Sequence, residues 1–352
     1  MDLKILSVNK ILYFGLSPLR NVAGDRRRFV YYAKNRNFRI ADPGDSNLDC
    51  IVATESTDLS LIRRRYPHTP IIYDLIDAYQ ISDNILEDAL RSIGKFATGQ
   101  IRPTILPFSK VVARNCRLAD AVICSSPEQQ KLLIKYNQNV HVILDSHDEF
   151  QFMKFKRKSL DHNSLFWEGQ PYTLSAIFQY SQAFQRLRAT QDVVLDLVTD
   201  EYFYKYLGKF ARTRTLHDNR ISLQNLGCRF RLIEWSLGNV VKTAENTKIG
   251  LVPVNVQSSF QSLKPENRML IMWRLGLPCL ASATPSHLRV ASVANLQNTF
   301  EDSEALFSKV TDMLMSPEMQ EENVNRGQKY LSEYHNLDVF LSSWDKVIES
   351  VV

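Results

Sequence analysis

Ten short apolar runs, each closed by a polar or turn-forming residue, constrain the fold of this chain more than any other feature. The first five are Ile11-Leu12-Tyr13-Phe14, Cys50-Ile51-Val52-Ala53, Pro70-Ile71-Ile72-Tyr73-Asp74, Ala121-Val122-Ile123-Cys124 and His141-Val142-Ile143-Leu144. Runs of four or five residues without polar alternation suit strands covered on both faces, as in a parallel sheet. The stretches between them have helical character. Ser125-Ser126-Pro127-Glu128 ahead of Leu132-Leu133 predicts a capped helix start with proline in the first turn. A polar, basic stretch from Gln151 to Ser164 reads as an interdomain linker or its flank. The rhythm then restarts at Ser164–Trp167, Val193–Val198, Cys228–Ile233, Ile249–Val254 and Pro278–Ser282, and residues 301–352 read as helical. The simplest architecture is α/β, with two Rossmann-like doubly wound domains facing a central cleft. The expected divisions are residues 1–150, 151–325 and a C-terminal helix over 326–352 that packs back on the first domain. Ligands of such sheets gather at the carboxyl ends of the strands, which makes the cleft the expected site.

Composition excludes several other classes. With 44% hydrophobic and 23% charged residues, the 352-residue chain is globular and long enough to bury a core without disulfides or metal. No run of about 18 apolar residues offers a membrane span. Met1–Leu6 lacks the features of a signal peptide. Cys50, Cys116, Cys124, Cys228 and Cys279 are widely spaced, with no CxxC or Cys/His cluster, so neither a disulfide scaffold nor structural zinc is expected. A cytoplasmic setting fits, with peripheral contact at the inner membrane surface as an option. The net charge of +5 suits phosphorylated ligands or an anionic membrane but is too small to argue for nucleic acid. Arg26-Arg27-Arg28 and Arg63-Arg64-Arg65 read either as solvated helix faces or as lipid or phosphate contacts.

The segment from Ile249 to Pro285 is the most informative. A buried strand ends at Pro253, and a polar loop with Ser258 and Ser259 follows. A helix is expected from near Pro265, with Lys264 just before it and Glu266, Asn267 and Arg268 in its first turn. A helix N-terminus favours an anion through its unpaired N–H groups and its dipole. Cations are otherwise unfavourable there, so Lys264 and Arg268 mark a candidate diphosphate site.

In these residues the sequence resembles the GT-B glycosyltransferases, especially the retaining, nucleotide-sugar-dependent group similar to glycosyltransferase family 4. The resemblance rests on Ile249–Pro253, Lys264–Arg268, the turn Gly276-Leu277-Pro278 and the strand Cys279–Ser282. Ala119–Ser126, Leu144–Asp148, Phe166-Trp167-Glu168-Gly169 and Ile233-Glu234-Trp235 fit in order around it. The resemblance implies an acceptor-binding first domain and a donor-binding second domain. It implies sugar transfer to a hydroxyl of a glycan, lipid-linked or other acceptor, retaining and metal-independent. No cofactor is implied, because the nucleotide sugar is a substrate. The donor-binding candidates are Gly15, Glu168, Gly169, Trp235, Ser258, Ser259, Lys264, Glu266, Asn267 and Arg268. The catalytic candidates are Asp77, Lys264 and Arg268, with Asp74 and His147 as further cleft residues. His287 reads as an exposed loop histidine and Trp273 as core. The family's usual pair of Glu residues falls here on Leu263 and Ile271, which cannot accept hydrogen bonds from ribose hydroxyls. A nucleotide-sugar epimerase and a non-catalytic scaffold of the same fold are the alternatives.

Overall fold

The computed structural model describes residues 10–102, 106–158, 162–205 and 211–352. The stretch Met1–Leu6 and part of the basic stretch, residues 159–161, lie outside the described residues. The chain divides into two units. The first runs to His147 and includes Leu263–Pro265 and His335–Val352; the second comprises Asp148–Ser262 and Glu266–Tyr334. The cut expected at 325–326 falls inside the continuous helix Pro317–Tyr334, which belongs to the second unit. That helix packs on Trp273 so tightly that a Cβ at Gly327 would sit 2.1 Å from the indole.

In the first unit, β1 (Lys10–Phe14), β2 (Arg39–Ala41), β3 (Cys50–Thr54), β4 (Ile71–Leu75), β5 (Ala121–Cys124) and β6 (Val140–Val142) form a parallel sheet in the order β2-β1-β3-β4-β5-β6. The absence of polar alternation has the expected cause, since both faces are covered. Leu12, Ile51, Tyr73 and Val122 meet Leu59, Ile62, Phe108 and Val112 on one side. Ile11, Val52, Ile72 and Ile123 meet Phe29, Tyr32 and the C-terminal residues Trp344 and Ile348 on the other. The helix Leu337–Glu349 thus completes the first sheet's core, with its Trp344 stacked on Tyr32 at 5.4 Å between ring centroids.

Arg28 corrects the reading of the first arginine triplet. It is fully buried, and its guanidinium bonds Asp74 (Nη2–Oδ1 2.5 Å), Asp145 (3.1 Å) and the Ile143 carbonyl (2.8 Å). Arg63 ties down Asp120 at 2.7 Å, whereas Arg64 and Arg65 are exposed.

In the second unit, β7 (Asn163–Glu168), β8 (Val193–Thr199), β9 (Tyr202–Lys205), β10 (Ala211–Arg214), β11 (Arg229–Glu234), β12 (Ile249–Val252), β13 (Cys279–Ser282) and β14 (Thr299–Phe300) follow in sequence. Six of them form a parallel sheet, β11-β8-β7-β12-β13-β14, and β9 and β10 pair as an antiparallel hairpin. The partial alternation of β11 reflects its edge position. β2, β9, β10 and β14 are short or polar and carry no apolar run. The described part of the basic stretch follows the division at His147, as its flank, and is tied into this unit: Lys158 donates to the carbonyls of Ala244 and Thr247, both at 2.5 Å. Burial pushes its ammonium down to about 8, against the opposing pull of Glu245. All five cysteines are buried and free. Among the described residues, no helix is long and apolar enough to cross a membrane.

Candidate functional site

In a doubly wound sheet the strand order reverses at one point, and the loops leaving the strands there open a crevice. In the second sheet the reversal lies between β7 and β12. β7 ends on Glu168, and the segments leaving β7, β11 and β12 carry Gly169, Trp235 and Ser258–Ser259, so five of the ten donor-binding candidates lie at this carboxyl edge.

The helix that follows is Asn267–Arg274. It begins two residues later than expected, with Glu266 at the cap position rather than in the first turn. Met269 to Trp273 are all buried, so only the helix ends are polar. Its far end closes at Gly276, whose positive φ of 66° and 2.7 Å clearance to the Met153 and Lys154 carbonyls admit no side chain. At the near end Glu266 makes no side-chain cap bond. Its carboxylate is instead held by Arg289 at 3.0 and 3.1 Å, almost entirely out of solvent. Glu266 therefore does not cap the first turn with its own side chain.

Arg268 stands in that first turn. One guanidinium nitrogen donates to the Glu168 carbonyl at 3.4 Å. Among the described residues no carboxylate lies within ion-pair distance of it. Burial lowers its pKa below the ordinary arginine value, with Glu168 opposing. Glu168 also accepts from the Trp235 indole N–H at 2.8 Å, which fixes the ring at the loop. Arg268, Glu168 and Trp235 thus form one connected group. Gly169 sits beside it, where a Cβ would meet Trp167 at 2.7 Å and Thr173 at 2.9 Å. Ser258 caps the short turn Ser259–Ser262 through Gln261 N at 3.2 Å, and Ser259 is exposed. Asn267 is the first helical residue, half-buried. Lys264 is half-buried three residues earlier, in the segment that divides off with the first unit. Ile271 points into the core and Leu263 is half-buried, so neither usual glutamate position offers a polar group.

His287 departs from its sequence reading. It is buried in the first turn of the helix Pro285–Val293, with Nδ1 2.8 Å from the Ser282 carbonyl. Burial, with Arg268 and Arg289 adding to it, pushes the imidazole down to about 4. At neutral pH it is uncharged, and Nδ1–H donates to that carbonyl. The Thr284 cap and Pro285 at the first helical position were the available signal for this helix. Nothing in the local sequence announced the Arg289–Glu266 pair.

In the first sheet the order reverses between β1 and β3. The turn after β1 wraps around a fully buried Asp25, which accepts from Tyr13 Oη (2.6 Å), Leu16 N (2.7 Å) and Ser17 N (3.0 Å). A Cβ on Gly15 would sit 2.7 Å from that carboxylate, so Gly15 is required by the turn itself. Asp77 is half-buried beyond β4. Asp74 is committed to Arg28 and lies inside. His147 is buried at the end of the unit's main segment. Glu55, one residue past β3, is a further titratable group at this edge that the motif spacing does not single out. Burial pushes its carboxyl up to about 7, while the Lys95 ammonium opposes this and Asp77 and Asp74 add to it. Its place directly after an apolar run at the sheet's reversal was the signal.

No protein-family model matches the sequence, and no curated protein matches it. Solved structures do match. A glycosyltransferase from Rickettsia africae superposes with a TM-score of 0.64 at 9% identity, covering 97% of this chain and 98% of that one. Anabaena HepE, solved with UDP and glucose, gives 0.63 at 12% identity, covering 97% and 100%. S. aureus TarM, solved with UDP and alpha-GlcNAc-glycerol among its ligands, gives 0.58 at 9% identity, covering 91% of this chain. This chain spans only 58% of TarM's length. The two parallel sheets are those of the GT-B fold.

Proposed function

We propose that this chain is a glycosyltransferase. It moves a sugar from a nucleotide-sugar donor to a hydroxyl of a glycan or lipid-linked acceptor, with retention and without a metal ion. The observation that carries this reading is the helix Asn267–Arg274, whose first turn sets Arg268 within hydrogen-bond distance of the Glu168 carbonyl, at the end of β7 and beside the reversal point of the second sheet. A diphosphate fits that end of a helix because backbone N–H groups and the dipole both favour negative charge. The guanidinium adds forked donors that match phosphate oxygens. Arg268 is half-buried and, among the described residues, has no carboxylate within ion-pair distance, so a bound diphosphate supplies its counter-charge.

In the transfer step, negative charge grows on the departing diphosphate as the sugar–oxygen bond breaks. Groups already aimed at that charge lower the barrier without reorganising. Arg268 and the helix end take this role, and Lys264 adds a second cation. The Trp235 ring, held by Glu168, supplies a flat face for the nucleotide base. Asp77 accepts a hydrogen bond from the acceptor hydroxyl and orients it. HepE and TarM were both solved with UDP, which makes uridine nucleotides the first donors to try.

The test is donor hydrolysis across a panel of nucleotide sugars, read by mass spectrometry, which requires no knowledge of the acceptor. The expected outcome is nucleoside diphosphate release from one donor class, lost in a folded Arg268→Ala protein. An isomerised sugar nucleotide formed without acceptor would replace this reading with the epimerase. Absence of nucleoside diphosphate binding at millimolar concentration would replace it with the scaffold, which the apolar Leu263 and Ile271 favour.

A further inference from the structure

The imidazole of His287 is fixed in one tautomer. It stands in the first turn of the helix Pro285–Val293, shortly after β13, and is only 2% exposed. A carbonyl oxygen can only accept, so the 2.8 Å contact between Nδ1 and the Ser282 carbonyl places the proton of the neutral ring on Nδ1. Nε2 then carries a bare lone pair, and among the described residues no group donates to it. A second proton is opposed by burial and by the charges of Arg268 and Arg289. The ring therefore accepts at Nε2 and does not donate there. Polar atoms of buried side chains are mostly paired, so an idle acceptor close to Arg268 points to a ligand group.

The chemistry of that nitrogen selects a hydroxyl. A bare lone pair attracts an O–H and repels phosphate oxygens, so it does not compete with Arg268 for the diphosphate. Its polar neighbours are already engaged. Ser282 Oγ accepts from Val254 N at 2.9 Å and pairs with Tyr180 Oη at 3.1 Å. Thr284 Oγ1 accepts from His287 N at 3.3 Å and pairs with Ser286 Oγ at 3.2 Å. The Glu266 carboxylate is held by Arg289, and Leu263 and Ile271 are apolar. A neutral acceptor also suits a site with two arginines, since a free carboxylate there would draw Arg268 away from the phosphates.

We propose that His287 Nε2 accepts a hydrogen bond from a hydroxyl of the nucleotide sugar, on its ribose or on the transferred sugar. The inference rests on the assignment of a nucleotide-sugar donor to this unit. The test is calorimetry with uridine diphosphate, its 2′-deoxy and 3′-deoxy analogues and UDP-glucose, or the same set for the base that the donor screen selects. Two substitutions separate the ring nitrogens. The His287→Asn amide replaces the Nδ1 donor and leaves no acceptor at Nε2, whereas the His287→Gln amide oxygen reaches the Nε2 position. His287→Asn should bind UDP-glucose about tenfold more weakly and His287→Gln within about threefold of the wild type, with melting temperatures unchanged. If the partner is on the ribose, uridine diphosphate shows the same loss. One deoxy analogue then binds the wild type about tenfold less well, and His287→Asn adds no further loss. If the partner is on the sugar, uridine diphosphate binds all three proteins equally. A folded His287→Asn protein that binds both ligands as the wild type does would overturn the proposal. So would equal losses in His287→Asn and His287→Gln for every ligand, which a packing role produces. A wild-type chain that binds no member of the set would overturn the donor assignment, and this inference with it.

Discussion

Arg268 and His287 lie close enough in the folded chain for the guanidinium to depress the imidazole, yet they are nineteen positions apart in sequence. The sequence marked Arg268 because a cation at a helix start is anomalous. It could not mark His287, because burial is a property of neighbours rather than of the residue. Arg268→Ala should lower kcat by about a hundredfold or more with the fold intact, and Arg268→Lys should recover only part of it. Steady-state kinetics with the donor found in the screen check both. His287 makes a pH prediction. Its folded pKa of about 4 lies below the ordinary 6.5, so the neutral form belongs to the folded state. The stability it supports is complete above about pH 6.5 and is lost as pH falls towards 4, by about 3 kcal/mol in total. Urea midpoints measured across that window should slope downward towards acid, and His287→Gln should flatten the slope. Arg28 is the residue where composition misled. Three consecutive arginines look solvated, but the third neutralises the buried Asp74 and the half-buried Asp145. Arg28→Ala strands Asp74 in the core and should cost about 3–5 kcal/mol in denaturant titration.

At the scale of elements, the central strands were legible because both faces of each sheet are covered, which leaves no room for polar alternation. The edge strands β2 and β14 and the hairpin were not, since a short strand with one open side needs no apolar run. The spacing predicts a helix from near Pro265; it starts two residues later, at Asn267, where the Glu266 carboxylate is drawn to Arg289, a pairing that local sequence does not encode. Its end was legible in Gly276-Leu277-Pro278. There the prediction is that Gly276→Ala destabilises the second unit by about 1–3 kcal/mol, through strain at positive φ and the clash with the Met153 carbonyl. A melting-temperature shift reads this directly. The helix Ile85–Ala97 shows the limit of periodicity. Its pattern gives an apolar stripe, and a stripe ordinarily faces inward. Only the tertiary bonds of Asp88, Ser92 and Lys95 reveal that it faces outward.

At the scale of the whole molecule, residues far apart in the sequence, from β1 and from the last helix, share one core. Trp344 and Ile348 pack on Ile11, Val52 and Phe29, so residues 335–352 are part of the first unit. A chain truncated after Tyr334 should lose the cooperative unfolding of that unit, and Trp344→Ala should cost about 3–5 kcal/mol. Circular dichroism with denaturant checks both; an unchanged transition in the truncated chain would contradict this packing. The sequence by itself determined the two parallel sheets, the alternation of strand and helix, and the segment around Arg268. Those follow from local spacing, in which backbone geometry and burial impose a period on the residues. The tertiary structure alone decided which charges are buried pairs and which are exposed. It also decided that His287 is inside and that one apolar helix face is outside. Each of these depends on partners brought together from distant positions, and no period within the chain encodes them.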